Sequence, residues 1–131
     1  MEGRPDWTEL LFSSAGRLPR ASFTALAAVL VGLGWLCRAS HIGWFAGAAC
    51  YAVLLFCGAA VACKRLHDRG RSGWWAVILF AALAAVWTAS PPVLAAPAQL
   101  ALGWAVIELC GLPGVKGPNR YGPDPRRSIR V

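Results

Sequence analysis

Long apolar blocks without charged residues alternate along the chain with short polar segments. Residues 42–63 and 72–107 form uncharged blocks of twenty-two and thirty-six residues, and residues 21–37 form a shorter one of seventeen. A helix needs about 17–25 apolar residues to cross the hydrocarbon core of a bilayer, and each block provides them. The pattern predicts one all-α integral membrane domain over residues 1–131, with about four short transmembrane helices. The predicted spans are residues 21–37, 42–63, 73–89 and 93–111.

Residues 1–20 form a polar lead in front of the first apolar block. Trp7, Leu10 and Leu11 follow the spacing of one face of a helix. Such a short amphipathic helix could lie in the headgroup region of a membrane, or it could pack locally against the protein. The lead contains acidic residues, unlike the cationic start of a signal peptide, so the first block is expected to be a retained anchor.

The last uncharged block is interrupted at Ser90-Pro91-Pro92. Two prolines remove two backbone donors and restrict φ, which stops a helix. The two halves, residues 73–89 and 93–111, are both short for membrane spans. They could be two spans, which is the preferred interpretation, or one helix followed by a re-entrant segment.

The composition supports a membrane protein and argues against a nucleic-acid-binding one. Hydrophobic residues make up 57% and charged residues 15% of the chain, compared with roughly 45–50% and about 25% in soluble domains. The net charge is +7, but the basic residues sit in short clusters beside apolar blocks. No basic stripe runs along a helix to follow a phosphate backbone, so we expect no nucleic-acid partner.

The cysteines indicate neither a disulfide framework nor a metal or cofactor site. They form no C-x-x-C pair, and we expect no histidine near them at a ligand spacing. Most of them fall inside apolar blocks, where a free cysteine behaves as a small hydrophobic residue. We therefore expect no cofactor. The five are Cys37, Cys50, Cys57, Cys63 and Cys110.

The distribution of basic residues predicts the orientation in the membrane. Three lie in the lead, one in the segment 38–41, four in residues 64–72 and five in the tail 112–131. Positive residues near helix ends favour the cytoplasmic side. Placing both termini and the 64–72 loop in the cytoplasm puts twelve of the thirteen basic residues inside. The chain is therefore expected to be multi-pass, with cytoplasmic N- and C-termini.

Three short motifs carry a resemblance to a known family. Residues 16–20 read Gly-Arg-Leu-Pro-Arg, residues 65–75 read Arg-Leu-His-Asp-Arg-Gly-Arg-Ser-Gly-Trp-Trp, and residues 119–125 read Asn-Arg-Tyr-Gly-Pro-Asp-Pro. Together they resemble the domain of unknown function 805 family of small bacterial inner-membrane proteins. The chain departs from the family pattern at residues 21–23, where an acidic or polar residue and an aromatic pair are usual. The motif residues are Arg17, Arg20, Arg65, His67, Asp68, Arg69, Arg71, Trp74, Trp75, Asn119, Arg120, Tyr121 and Asp124.

The resemblance implies a multi-pass protein of the bacterial inner membrane and implies no reaction. Under the predicted topology all three motifs lie on the cytoplasmic side, where they would form one polar cap over the helices. Asp68 and Asp124 are the only acids of the loop and tail, and we expect each to pair with arginines of another segment. The alternative is that the arginines bind anionic lipid headgroups or a phosphorylated ligand.

Two further residues are candidates for chemistry. Glu108 is the one ionisable residue inside an apolar block, so it could relay protons or ions. The preferred interpretation is a structural tie to Lys64 or Arg65 at the cytoplasmic helix end. His67 and Asp68 could act as a general base and its orienting carboxylate, although no nucleophile or metal ligands accompany them.

The sequence therefore favours a protein without enzymatic activity that has a structural or interaction role through its cap. Its expected partners are membrane lipids, with anionic headgroups at the cytoplasmic face, and other membrane proteins or further copies of the chain. A small oligomeric transporter or channel using Glu108 is the alternative, and an enzyme of lipid headgroups using His67 and Asp68 is the third hypothesis.

Overall fold

The computed structural model of the chain describes residues 7–87 and 92–125. The elements are helical, and no strand occurs in these two ranges. The all-α fold is therefore confirmed. The helices are α1 (Trp7–Phe12), α2 (Arg20–Ala39), α3 (Trp44–Asp68), α4 (Trp75–Trp87) and α5 (Pro92–Val106), and α5 continues into a π-helical turn (Ile107–Gly111).

The helices α2 and α3 are long and apolar enough to cross a membrane. A helix of 20 residues, the length of α2, extends about 30 Å, which matches a bilayer core. Phe23 is the one buried residue of α2, and Trp35 on the same helix is 69% exposed. So much apolar surface suits contact with lipid chains better than the core of a soluble protein.

The C-terminal half of the chain forms two shorter helices that pack against each other. α4 has 13 residues, so it is about 20 Å long and shorter than a bilayer core. α5 contains Pro97, and the following π-helical turn extends the helical segment to Gly111. The predicted stop at Ser90 and Pro91 lies outside the described residues, and α5 begins at Pro92.

The predicted loop over residues 64–72 is shorter in the structure, because α3 continues to Asp68. This boundary was wrong. The polar residues after Cys63 keep helical spacing, and Arg65 pairs with Asp68 one turn later, a contact that stabilises a helix. The charged segment therefore begins as the last turn of α3, and the loop to α4 covers only residues 69–74.

The buried apolar core lies at the same end as the polar turn of α3. Small residues there let helices approach closely: a Cβ built on Gly58 of α3 would lie 3.3 Å from the Phe80 ring of α4. Leu10 and Leu11 of α1 pack against the core, whereas Trp7 is 60% exposed. The lead thus forms the expected short helix, with its leucines packed against the protein. The buried core residues are Leu18, Phe23, Val61, Ala62, Leu66, Ala76 and Leu109.

Candidate functional site

Polar side chains from all three sequence motifs meet at one end of the helices. The contributing segments are the residues before α2, the last turn of α3, the loop 69–74, the π-helical turn and the tail 112–125. We call this cluster the arginine cap. Its charged side chains are Arg17, Arg20, Lys64, Arg65, Asp68, Arg69, Arg71 and Glu108. The tail 112–125 belongs to it through the backbone carbonyls that these side chains bind.

The carboxylate of Asp68 lies at the centre of the arginine cap. Its Oδ1 is 3.1 Å from Nε and 3.0 Å from Nη2 of Arg17, and its Oδ2 accepts a hydrogen bond from Nη1 of Arg65. The three side chains are no more than 2% exposed. Arg17 precedes α2 while Arg65 and Asp68 belong to α3, so the ion pairs join two segments, as expected for Asp68.

The tail passes the Asp68 side chain at Gly114, where no other residue fits. A Cβ built on Gly114 would lie 1.8 Å from Oδ2 and 2.5 Å from Cγ of Asp68. The neighbouring N–H of Val115 donates to the Asp68 carbonyl at 2.9 Å. The lack of a side chain at Gly114 therefore lets the tail backbone lie against the buried carboxylate.

Arg65 also caps the C-terminal end of the last helical segment. Its Nε donates to the Leu109 carbonyl at 2.8 Å, and its Nη2 donates to the Leu112 carbonyl at 2.6 Å. The last carbonyls of a helix lack intrahelical partners and carry partial negative charge, so a guanidinium group stabilises them. Arg65 is fully buried, and it therefore links α3 to the end of the π-helical turn.

Two more arginines bind the same stretch of backbone. Nη1 of Arg20 donates to the Gly111 carbonyl at 3.0 Å, and Nη1 of Arg69 donates to the Pro113 carbonyl. The arginines thus satisfy successive carbonyls where the helical segment ends and the tail begins. Arg20 extends this contact to the first turn of α2.

The Arg17 guanidinium binds the tail as well as Asp68. Nη2 donates to the Val115 carbonyl at 2.6 Å, and Nη1 donates to the Gly117 carbonyl at 2.6 Å and the Gly122 carbonyl at 3.4 Å. The Gly117 N–H in turn donates to Oδ2 of Asp124 at 2.9 Å. An arginine partner for Asp124 stays a prediction, whereas its contact with the tail backbone is present.

Glu108 is bound by arginines other than those expected. Its Oε1 accepts from Nε and Nη2 of Arg69 at 3.3 and 3.2 Å, and from Nε of Arg71 at 3.0 Å. The expected partners were wrong, because Arg65 is engaged by Asp68 and backbone carbonyls, and Lys64 binds α1. The Glu108 side chain is 7% exposed, and its ion pairs favour a structural tie over a relay.

Lys64 is a cap residue that does not belong to the three sequence motifs. Its Nζ donates to the carbonyls of Glu9 and, at 3.1 Å, Leu10, and its own carbonyl accepts from the Leu18 N–H at 3.2 Å. Lys64 thereby holds α1 and the residues before α2 on the end of α3. The signal in the sequence was its position, one residue after an uncharged block.

Arg71 lies between Glu108 and two indole rings. Its Cζ is 5.6 Å from the Trp75 ring centroid and 5.3 Å from the Trp104 centroid, distances that favour cation–π contact. The two rings are 6.1 Å apart. Trp74 is 78% exposed, as expected for an aromatic residue at a membrane interface.

His67 packs against the tail at the edge of the arginine cap. Its Nδ1 is 3.3 Å from the Gly16 carbonyl oxygen, and its ring stacks on Tyr121 with centroids 3.9 Å apart. The Arg120 guanidinium lies 4.7 Å from the same Tyr121 ring. His67 follows the apolar part of α3, and burial lowers its pKa, as does the nearby Arg120 charge, while the Gly16 hydrogen bond opposes the shift.

The Asn119-Arg120-Tyr121-Gly122 segment is a tight turn held on α3. Asn119 Oδ1 accepts from the Tyr121 N–H at 2.9 Å, and the backbones of Asn119 and Gly122 exchange hydrogen bonds at 3.0 Å. Gly122 has a φ of +136°, which only glycine adopts readily. Asn119 Nδ2 donates to the His67 carbonyl at 2.9 Å. The turn thus presents Tyr121 to the His67 ring.

A shallow cavity of about 290 Å³, wide open to the surroundings, lies beside the arginine cap, between the end of α3 and the start of α4. His67 and Cys63 both line it. The expectation that no histidine lies near a cysteine at a ligand spacing was wrong here. The two residues are four positions apart in sequence, so they share one face of α3.

The geometry gives no support to a base formed by His67 and Asp68. Consecutive helical residues point in directions about 100° apart, so the Asp68 carboxylate faces Arg17 and Arg65 while His67 Nδ1 faces the Gly16 carbonyl. In residues 7–87 and 92–125, no group of three or more side chains could hold a metal ion. Buried side-chain nitrogen and oxygen atoms in these ranges all have hydrogen-bond partners. The arginine cap is therefore suited to holding segments in fixed positions.

Comparison with known proteins identifies relatives over most of the chain. A family model described as "Protein of unknown function (DUF805)" matches residues 11–123. The uncharacterized protein YiiR of Escherichia coli K12 is 36% identical over 135 residues, covering 87% of this chain and 86% of YiiR. The inner membrane protein YhaH of the same strain is 32% identical over 68 residues, covering 51% of this chain and 41% of YhaH. No solved structure matches the chain.

We expect Asp68→Asn to lower the amount of folded protein in membranes, because the neutral amide leaves Arg17 and Arg65 buried without a counter-ion. Breaking a buried ion pair by changing one partner costs roughly 3–5 kcal/mol of unfolding free energy. Membrane accumulation and thermal unfolding in detergent measure the effect. Lys116→Gln removes an exposed charge of the tail and should behave as the unsubstituted protein. Equal stability of the two variants would contradict the central role of Asp68.

We expect Gly114→Ala to destabilise the protein as strongly as Asp68→Asn, because its Cβ would overlap the Asp68 carboxylate. The tail would have to leave the arginine cap, exposing carbonyls that Arg17 now binds. Protease cleavage within the tail and thermal unfolding measure the change. Gly32→Ala is the matched control, since a Cβ at Gly32 meets nothing within 4 Å. A tail as protected in Gly114→Ala as in the control would show that the close contact is unimportant.

Proposed function

The chain belongs to the DUF805 family of unknown function, and we propose that it is a multi-pass inner-membrane protein that docks other membrane components on its arginine cap. The closed network around Asp68 and Glu108 is the observation that carries this proposal. Both carboxylates are bound by arginines, so the network orders the segments around it without any reacting group. A rigid surface of this kind suits recognition, because little ordering entropy remains to be lost on binding.

The proposed topology places the arginine cap and both termini in the cytoplasm. The cap contains the start of α2 and the end of α3, so these two helices run in opposite directions across the bilayer. α4 leaves the cap and the π-helical turn after α5 returns to it, so the loop 69–74 and the tail lie on one side of the bilayer. This holds for two further short crossings, which we propose, and for a re-entrant pair of helices. The basic residues of the cap favour the cytoplasmic side, and the relative YhaH is an inner membrane protein.

The residues exposed on the outer surface of the cap favour binding of a partner that carries acidic groups. Lys116 and Arg120 are exposed on the tail, and Leu112 and Val115 add apolar surface that is 39% and 42% exposed. Exposed basic and apolar residues on the same tail fit an acidic segment of another membrane protein. We propose that Arg71, which lies over the Trp75 and Trp104 rings, also contacts anionic headgroups. A second copy of the chain is the competing partner.

The other two hypotheses gain less support from the geometry. Transport through Glu108 would need a carboxylate that can exchange protons or ions, whereas Arg69 and Arg71 hold this one. The hypothesis of a His67–Asp68 base needs the carboxylate to contact the imidazole ring, and Asp68 is turned away toward arginines. We therefore propose that the protein acts through contact and not through catalysis.

The topology predicts which positions a membrane-impermeant maleimide can reach. In a variant without the native cysteines, Ser40→Cys lies in the turn between α2 and α3, and Lys116→Cys lies on the arginine cap. We expect labelling of Ser40→Cys in intact spheroplasts, and of Lys116→Cys only after the membrane is opened. The reverse pattern would invert the topology, and labelling of both from outside would show that the two ends share one side.

The docking proposal predicts protein crosslinks that form from a residue on the arginine cap and that depend on the charge of the neighbouring residues. A photoreactive residue at Val115 should give discrete adducts with another protein in living cells, whereas one at Trp44, exposed at the opposite helix end, should not. Lys116→Glu should reduce the Val115 adducts severalfold, because it reverses a charge on the docking surface.

Accumulation of each variant must match the unsubstituted protein for this comparison. Adducts that persist unchanged in Lys116→Glu would contradict an acidic partner. Adducts with lipid alone would contradict protein docking. If all protein adducts join two copies of the chain, the partner is a second copy and not a different protein.

A further inference from the structure

The cavity beside the arginine cap presents uncharged polar groups at the boundary between apolar and polar sequence. Cys63, the last residue of an uncharged block, and Trp74, an exposed interface tryptophan, lie on its wall. The polar side chains are Ser14, His67 and Ser72, and Val77 adds an apolar surface. Its volume of about 290 Å³ lies just below the roughly 300–1,000 Å³ of sites that enclose a whole drug-sized ligand. Because it is also wide open to the surroundings, it suits a small headgroup whose remainder lies outside.

The hydrogen bonds of His67 determine what it offers to a ligand. A carbonyl oxygen can only accept, so the contact with Gly16 places the ring proton on Nδ1. In the neutral imidazole, which burial favours, the other ring nitrogen, Nε2, then carries a lone pair. This atom would lie 3.3 Å from a Cβ built on Gly73, a residue of the cavity wall. A ligand that donates a hydrogen bond would therefore find an acceptor here.

The remaining polar groups of the cavity add hydroxyl functions. The Cys63 thiol is engaged with the Gly73 carbonyl at 3.5 Å. Ser72 Oγ accepts from the Trp74 N–H at 3.4 Å, which leaves its own proton to donate. Ser14 contributes a second hydroxyl from the residues before α2. These groups suit a partner that both donates and accepts, as alcohols do.

Charge restricts the ligand further. None of the side chains that line the cavity is ionised as a carboxylate or an ammonium or guanidinium group, so the part bound inside is expected to be neutral. Arg120 lies over Tyr121, and Tyr121 stacks on His67. The positive potential next to the cavity favours an anionic group just outside it and disfavours an ammonium group within it.

We infer that this cavity binds the glycerol headgroup of an anionic phospholipid of the phosphatidylglycerol class. The headgroup hydroxyls would donate to His67 Nε2 and exchange hydrogen bonds with Ser14 and Ser72. The phosphodiester would lie in the field of Arg120, and the acyl chains would continue along Trp74 and Val77, which are 78% and 56% exposed. The inference needs the chain to be in a membrane and does not depend on protein docking at the cap.

The binding of two lipids with equal charge tests the inference. Phosphatidylmethanol has the same single negative charge and phosphodiester as phosphatidylglycerol but no headgroup hydroxyl. We expect the full chain, purified in detergent and titrated with lipids of identical acyl chains by native mass spectrometry, to bind phosphatidylglycerol roughly three- to tenfold more tightly. This ratio corresponds to about one net hydrogen bond. Equal affinities would overturn the assignment.

Substitutions on the wall locate the preference. Gly73→Ala places a methyl group 3.3 Å from His67 Nε2 and 3.2 Å from Cys63 Sγ, and we expect it to reduce the ratio to about one. Gly103→Ala is the matched control, because a Cβ there meets nothing within 4 Å. Ser14→Ala removes one exposed hydroxyl without disturbing packing and should lower the ratio about twofold or more.

The outcomes separate the sources of the ligand and the causes of failure. If Gly73→Ala folds and retains the preference, the cavity is not the site. If it does not fold, Ser14→Ala decides, and an unchanged ratio in that variant overturns the inference. Soluble glycerol 3-phosphate should not displace the lipid at comparable concentration, because it lacks acyl chains. Displacement at equal concentration would show that the ligand is a soluble phosphate ester and not a membrane lipid.

Discussion

The Asp68 carboxylate accepts hydrogen bonds from Arg17 and Arg65 in a place where the three side chains are almost completely excluded from solvent. A buried carboxylate is costly unless its charge and lone pairs are satisfied, and two guanidinium groups satisfy both. The same burial makes each arginine depend on the carboxylate. The residues before α2, the last turn of α3 and the tail therefore assume their positions together. Loss of the contact between the first two would leave unpaired charges, and loss of the tail would leave Arg17 donors without their carbonyl acceptors.

Arginine is the residue that can perform this task because of its five donors. Arg17 binds one carboxylate and three tail carbonyls, and Arg65 binds one carboxylate and carbonyls on two other segments. A lysine has a compact charge on a flexible stem and cannot span so many acceptors in fixed directions. The single lysine of the arginine cap, Lys64, binds two adjacent carbonyls at the end of α1. The arginine-rich motifs are thus explained by backbone carbonyls beyond the ends of regular helices, which need hydrogen-bond donors.

The sequence allowed the architecture to be predicted and much less of the side-chain pairing. Block lengths and charge positions locate α2 and α3 closely, because hydrophobicity over twenty residues is a strong signal. The partners of Glu108 were missed, since Arg69 and Arg71 reach it only after the loop turns back at Gly70, whose φ is +71°. The contact between Gly114 and Asp68 joins residues far apart in sequence, so no local sequence pattern predicts it. The cavity at His67 could have been suspected from the spacing of Cys63 and His67 on one helix face.

The distribution of specific contacts indicates where recognition can occur. Along α2 and the apolar part of α3, exposed side chains such as Trp35 and Phe56 face a solvent of lipid tails, for which one apolar surface is nearly as good as another. Hydrogen bonds and ion pairs with defined directions are concentrated instead at the arginine cap. Directional groups discriminate between partners because an imperfect partner leaves one of them unpaired. A protein this small therefore has its capacity for selective binding at the arginine cap, where the helices leave the apolar region.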